Sequence, residues 1–288
     1  MKSMYWILIL QQLIASTTHI VAKSLVLNLS PTLILLLRAS IASVTYLSTL
    51  IFRKSKLMRI ERRDLIPFLI LGFINIPMNQ FLFFKSLEFT SPANVALAYA
   101  LTPAFVIVIA MIFLGEKATK LKLIGIIIAF AGTVFVLFEK GLDLKSESFF
   151  GNGLALLASL SWAVYTVLGK KYVLKYGAIY TSAVTMVFGL LLYLPVFGFY
   201  GDITEISNVT TVDFLKIFYL GVITSGVGYA LWYYSLKKLE ASKVSVFNNL
   251  QPVLTTLMAV FFFDQLITIP FVLGGVLTIT GVILTQKG

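Results

Sequence analysis

Apolar residues in this chain come in long runs, not in the alternation of strands or the narrow stripe of a soluble helix. Runs of about twenty mostly apolar residues suffice to cross hydrocarbon as a helix. Such runs recur over 4–26, 31–52, 65–87, 92–114, 121–138, 151–171, 179–200, 213–236, 241–263 and 267–285. Short polar breaks separate most of them. The pattern predicts an all-α integral membrane protein with ten transmembrane helices. The first run follows Lys2 as a signal peptide would, but Gln11 and Gln12 interrupt it and His19 and Lys23 fall inside it. A retained helix is therefore expected.

The pattern repeats. Shifted by 149 residues, Asp64–Phe135 aligns with Asp213–Leu284 without a gap, and 15 of the 72 positions are identical. The coincident Gly72/Gly221, Pro103/Pro252, Gly125/Gly274 and Gly132/Gly281 weigh more than the shared leucines, which apolar segments match by chance. Two repeats of five helices each follow, over 1–140 and 150–288. Because five is odd, the second enters the membrane from the opposite side. Inverted repeats of this kind build many secondary transporters, with substrate held near the midplane between the halves.

Charge then orients the chain. It carries 23 Lys+Arg against 12 Asp+Glu, a net +11, with 59% hydrophobic residues, one His and no Cys. With the N-terminus inside, 17 of the 23 basic residues fall in inner loops, as the positive-inside rule requires. Both termini are expected in the cytoplasm, in a cell (plasma or inner) membrane. The positive charge is thus topological, and no nucleic-acid partner is expected. The missing cysteines exclude a disulfide scaffold and a thiol nucleophile. No cofactor or metal site is expected, and no P-loop is present: Gly169-Lys170-Lys171 lacks its glycine spacing and its Ser/Thr.

At this point particular residues carry a resemblance. The segment Leu154-Ala155-Leu156-Leu157-Ala158-Ser159-Leu160-Ser161-Trp162-Ala163-Val164-Tyr165 resembles the sixth helix of the EamA family in the drug/metabolite transporter superfamily. Leu220-Gly221-Val222-Ile223-Thr224-Ser225-Gly226-Val227-Gly228-Tyr229-Ala230-Leu231-Trp232 resembles its eighth, and Pro103…Gly115-Glu116…Gly125…Gly132 is similar to its signature at the end of helix four. Two departures stand out. Ala15-Ser16-Thr17-Thr18-His19 replaces a Trp-Gly pair common in helix one, and Asp264-Gln265 replaces Gly-Glu in the second half. The resemblance implies a ten-helix exporter or exchanger of small metabolites, often amino acids, with helices 1, 3, 4, 6, 8 and 9 around a central cavity.

Polar groups in hydrocarbon are costly and face a cavity or a neighbouring helix. In helix one, Gln12, Ser16, His19 and Lys23 share one face by spacing. That stripe suits the wall of a water-filled path; the alternative is helix–helix bonding, with Lys23 snorkelling. Helix three offers Asn75 and Asn79 around Pro77. Helix four offers Tyr99 and Thr102 before Pro103, and helix nine offers Asn248 and Gln251 around Asn249 and before Pro252. The paired prolines read as hinges or as static kinks. Trp162 and Tyr165 in helix six, with Ser225, Tyr229 and Trp232 on one face of helix eight, form an expected aromatic wall. Arg38 reads either as an anion site or as a structural contact, and structure is preferred because helix two is not expected at the cavity. Small-residue stripes Gly125/Ala129/Gly132 and Gly274/Thr278/Gly281 are packing faces, either internal or at the seam of a homodimer.

These features predict alternating-access transport of small organic metabolites such as amino acids or amphipathic amines. A second transport reading takes Lys23, Lys85 and Arg38 as a basic lining for organic anions or sugar phosphates. An intramembrane enzyme is disfavoured, because the single His, the missing Cys and acids confined to loops and helix ends leave no catalytic pair, and a receptor is disfavoured by the inverted repeat.

Overall fold

The computed structural model describes residues 2–52, 60–90, 92–139, 147–254 and 269–288, and their regular structure is helical throughout. Helices α1 (Lys2–Val26) and α2 (Pro31–Phe52) are continuous. Helix α3 (Arg62–Phe89) contains a π-helical stretch, Ile74–Gln80, at Pro77. Helix α4 runs Pro92–Ala100, breaks at Leu101 and resumes as Thr102–Leu114. Then come α5 (Lys120–Glu139), α6 (Glu147–Tyr176) and α7 (Ala178–Tyr200). Helix α8 (Thr211–Leu236) has a second π-helical stretch, Leu220–Gly228. Helix α9 (Ala241–Ser245) tightens into a 3-10 turn, Val246–Asn249, before turning helical again, and α10 (Ile269–Lys287) closes the order. Much of the span expected over 241–263, and the start of that over 267–285, lie outside the described residues.

Among the described residues, seven helices are long and apolar enough to cross a membrane. Large apolar side chains are exposed on these and on the other described helices: Ile112 and Phe113 on α4, Ile127 on α5 and Val276 on α10. Water would not tolerate so much contiguous apolar surface, whereas lipid requires it. The inside is more polar than a soluble core, with Gln12, Ser16, Arg38, Asn75, Asn79 and Asn249 all buried.

Local chemistry fixes several joints. A capping box starts α8, in which Thr210 Oγ1 accepts from the Asp213 amide and Asp213 Oδ2 accepts from the Thr210 amide. Gly177 alone links α6 to α7 at φ 85, a conformation that costs glycine nothing. The stripes on α5 and α10 face each other within the chain. A Cβ on Gly132 would lie 2.5 Å from the Thr278 amide nitrogen, so the two backbones touch where any larger residue would part them. This resolves the choice between internal and dimer packing for these faces: they are occupied internally.

Near the end of α8, Tyr233 is fully buried and stacks on Tyr165 at a centroid distance of 5.0 Å, while its neighbour Tyr234 is exposed.

Candidate functional site

A cavity of about 600 Å³, open in part to solvent, lies among α1, α2, α3, α4, α6, α8 and α9. Of the residues expected to line it, His19, Asn79, Tyr99, Trp162, Tyr229, Asn248 and Gln251 do so. Both π-helical stretches reach it, the first through Asn79 and Gln80 and the second through Thr224 and Gly228. A π turn widens the helix and offsets its side chains, a device frequent at functional sites.

A chain of directed hydrogen bonds forms one wall. Gln251 Nε2 donates to Gln12 Oε1 at 2.8 Å, so Gln251 Oε1 is left to accept, and it does so from His19 Nε2 at 3.0 Å. Gln12 Nε2 in turn donates to Gln11 Oε1 at 2.7 Å and to Asn248 Oδ1 at 3.2 Å. The ends of this chain, His19 Nδ1 and Asn248 Nδ2, are buried without a partner among the described residues. Beside it Asn79 Nδ2 donates both to the Tyr99 hydroxyl and to the Ala158 carbonyl, each at 2.8 Å, and the Tyr99 ring meets His19 edge-on at 6.1 Å. Trp162 packs edge-on to Tyr229 at 5.0 Å and tilted against Trp232 at 5.4 Å, while Phe83 meets His19 edge-on at 5.3 Å.

Seven expected lining residues stand behind the wall instead. Gln12 and Ser16 bind α1 to α9, Ser16 Oγ donating to the Gln12 carbonyl at 2.7 Å and reaching the Gln251 carbonyl at 3.3 Å. The stripe on α1 therefore divides: its lower half serves helix–helix bonding, and the adjacent face, with Gln11, Ala15, Thr18 and His19, meets the cavity. Asn75 accepts from Gln80 Nε2 at 3.2 Å, because π spacing brings residues five apart together instead of four. Thr102 bonds Ser159 at 2.9 Å and Tyr165 bonds Thr185 at 2.9 Å. The π stretch of α8 also undoes the shared face of Ser225, Tyr229 and Trp232. Ser225 accepts from Arg38, Tyr229 alone enters the cavity, and Trp232 Nε1 donates to Thr166 at 3.1 Å.

Arg38 is the main lining residue that the family resemblance left outside the expected cavity. It lines the cavity from α2 at only 3% exposure, and it also makes structural contacts. Its Nε donates to Ser225 Oγ at 2.8 Å and its Nη2 to Thr224 Oγ1 at 3.2 Å, and the Phe84 ring lies 5.4 Å from its Cζ. No carboxylate among the described residues pairs with it. Its position inside a span, with no acid at matching depth, was the available signal. Lys23 and Lys85 do not join it: Lys23 Nζ donates to the Leu87 carbonyl at 2.6 Å, and Lys85 pairs with Glu88 at 2.5 Å.

A clamp closes the bundle at the end that carries the α4–α5 and α8–α9 connections. Gly115 ends α4 at φ 64, and the next residue, Glu116, accepts from the Ala241 amide at 2.6 Å and from Ser242 Oγ at 2.7 Å while pairing with Lys170 at 3.2 Å. Burial pushes this carboxyl up, yet the hydrogen bonds from Ser242 and Ala241 and the Lys170 charge outweigh it and hold the group below its ordinary value. Lys122 and Glu240 pair beside it.

Membrane-length helices gathered round a polar and aromatic cavity define a multi-pass membrane transport protein. The EamA-like transporter family profile matches residues 2–138 and again 149–286. The chain is 32% identical to the uncharacterized transporter YyaM of Bacillus subtilis, over 99% of this chain and 94% of that protein. It is 30% identical to an uncharacterized transporter of Archaeoglobus fulgidus over 90% of each, and 29% identical to a protein of Escherichia coli named "Probable amino-acid metabolite efflux pump", over 76% of this chain and 77% of that one. A crystal structure sharing 19% identity superposes with a TM-score of 0.83 over 99% of this chain and 97% of that chain, a likeness of fold. The chain belongs to the EamA-like transporter family.

Proposed function

We propose that this protein is a secondary transporter, an exporter or exchanger, that moves small organic metabolites such as amino acids or amphipathic amines by alternating access. The observation that carries this reading is the cavity itself, lined from both halves of the chain at the π-helical stretches of α3 and α8. Under the 149-residue shift, Ile74–Gln80 falls on 223–229, overlapping Leu220–Gly228. The break at Leu101 and the 3-10 turn Val246–Asn249 likewise precede Pro103 and Pro252. Gly72 on α3 packs against Gly189 on α7, and Gly221 on α8 packs against Ile41 on α2, so corresponding helices exchange corresponding contacts. These pairings support ten helices in two inverted five-helix repeats, 1–140 and 150–288, and the bias of Lys and Arg along the chain favours both termini in the cytoplasm. Pro103 and Pro252 then act as hinges at which one half rocks against the other.

The named activity of the Escherichia coli relative favours amino acids within this class. The sugar-phosphate alternative loses two of its three cations, since Lys23 and Lys85 are engaged outside the cavity. Counterflow in proteoliposomes, with one panel of amino acids and amines and one of phosphate esters, tests the reading. Exchange of the first panel is expected; exchange confined to phosphate esters overturns it.

A further inference from the structure

Arg38 holds a positive charge for which no ion pair is formed among the described residues. A guanidinium stays protonated at any physiological pH, and a buried charge without a partner is strongly disfavoured. Eight of the described acids are engaged elsewhere. Glu61 and Asp64 meet Lys175, Glu88 meets Lys85, Glu116 meets Lys170 and Glu240 meets Lys122. Glu205 accepts from the Ser30 amide, Asp202 from Thr204 and Asp213 from Thr210. Ser225 and Thr224 occupy Nε and one N–H of Nη2. A guanidinium has five N–H donors, so three are left without a described acceptor on a side chain that lines the cavity. A planar fork of this kind matches a carboxylate, which can take two parallel N–H bonds.

The rest of the cavity suits the other end of such a molecule. Among the described residues His19 Nδ1 and Gln80 Oε1 are buried and unpartnered, and with His19 Nε2 donating to Gln251 and Gln80 Nε2 donating to Asn75, both free atoms are acceptors. They are placed to receive an ammonium or a hydroxyl, and the Trp162 and Tyr229 rings offer an apolar wall.

We propose that Arg38 is the anchor for a carboxylate on the transported molecule, so that the site takes amino acids and related monocarboxylates and rejects amines that lack one. The inference rests on the transport reading and narrows it. It also separates carboxylate from phosphate: one cation balances one negative charge, and a phosphate monoester would carry about two.

The test uses the full chain in nanodiscs on a Trp6→Phe background, which removes the exposed tryptophan and leaves Trp162 in the cavity and Trp232 against it as reporters. Fluorescence is titrated with L-phenylalanine, 3-phenylpropionate, phenethylamine and phenyl phosphate. The two carboxylates are expected to bind, with phenethylamine weaker by roughly 10- to 100-fold, the span of a charged hydrogen bond. Arg38→Met should remove that difference between acid and amine. Arg38→Lys, which keeps the charge and guards against simple misfolding, should preserve the preference at lower affinity. Equal binding of phenethylamine and 3-phenylpropionate, no binding of either carboxylate, or a carboxylate affinity unchanged in Arg38→Met overturns the assignment, as does tighter binding of phenyl phosphate. Counterflow keeps the two readings apart. Carboxylate binding without exchange overturns transport and leaves the Arg38 assignment standing, whereas phenethylamine exchange unaffected by Arg38→Met does the opposite.

Discussion

His19 Nε2 lies 3.0 Å from the side-chain oxygen of Gln251, joining residues 232 positions apart. The same Gln251 side chain grips Gln12, so α1 and α9 are tied by a chain whose donors run in one direction. Removing either end strands a buried polar group, which costs about 1–3 kcal/mol.

His19→Ala and Gln251→Leu should therefore each lower thermal stability in detergent. The double variant should lose less than the sum, with a coupling of about 0.5–3 kcal/mol. Additivity within about 0.5 kcal/mol would show that the pair does not interact.

Asn79 holds Tyr99 and the Ala158 carbonyl together across α3, α4 and α6. Asn79→Leu should insert and purify normally while counterflow falls by roughly tenfold or more, the loss of about one such hydrogen bond in the loaded site. Normal transport by Asn79→Leu, or by Trp162→Ala, would remove these residues from the substrate wall.

Glu116 gives the protein a pH dependence of known sign. Its carboxyl sits below the ordinary 4.5, because hydrogen bonds from Ser242 and Ala241 and the Lys170 charge prevail over burial. The stabilisation is fully present above the unfolded-state value and fades as pH falls through the lower folded value. Glu116→Gln should be less stable than the parent by about 1–3 kcal/mol at pH 7. The gap should close in melting curves taken on descending through the carboxylate range; a gap constant from pH 7 to pH 3 would show that the charge is irrelevant to the clamp.

Gly132 meets the α10 backbone with no room for a side chain. Gly132→Leu should cost about 1–3 kcal/mol or more by overpacking and should lower the yield of monodisperse protein. Gly153, which has open space around it, is the matched control, and its substitution by Leu should be tolerated. Equal melting temperatures for the two variants would mean that α5 and α10 do not pack as closely as described.

Much of the fold was legible beforehand because hydrocarbon imposes a length on every span. The run read over 31–52 is Pro31–Phe52, and that read over 179–200 is Ala178–Tyr200. The candidate site was half legible for a related reason: a polar side chain inside a span must face something other than lipid. Sequence identified Gln12, Ser16 and His19 as such residues but could not assign each its neighbour, since spacing along a helix fixes a shared face and not the rotation of that face in the bundle.

By itself, then, the sequence determined a membrane-embedded, all-helical chain with an internal repeat, because span length, charge placement and recurring Gly and Pro are properties of the chain alone. Tertiary structure decided the rest. It turned Gln12 and Ser16 towards α9 and let His19 reach the cavity. It closed the Gly125 and Gly274 stripes on each other, and it swung Arg38 from a helix expected outside into the site. The π stretches at Ile74–Gln80 and Leu220–Gly228 are the physical reason for several of these differences. They replace the four-residue spacing that sequence patterns assume with a wider one, and only the packed bundle reveals which side chains that turn brings together.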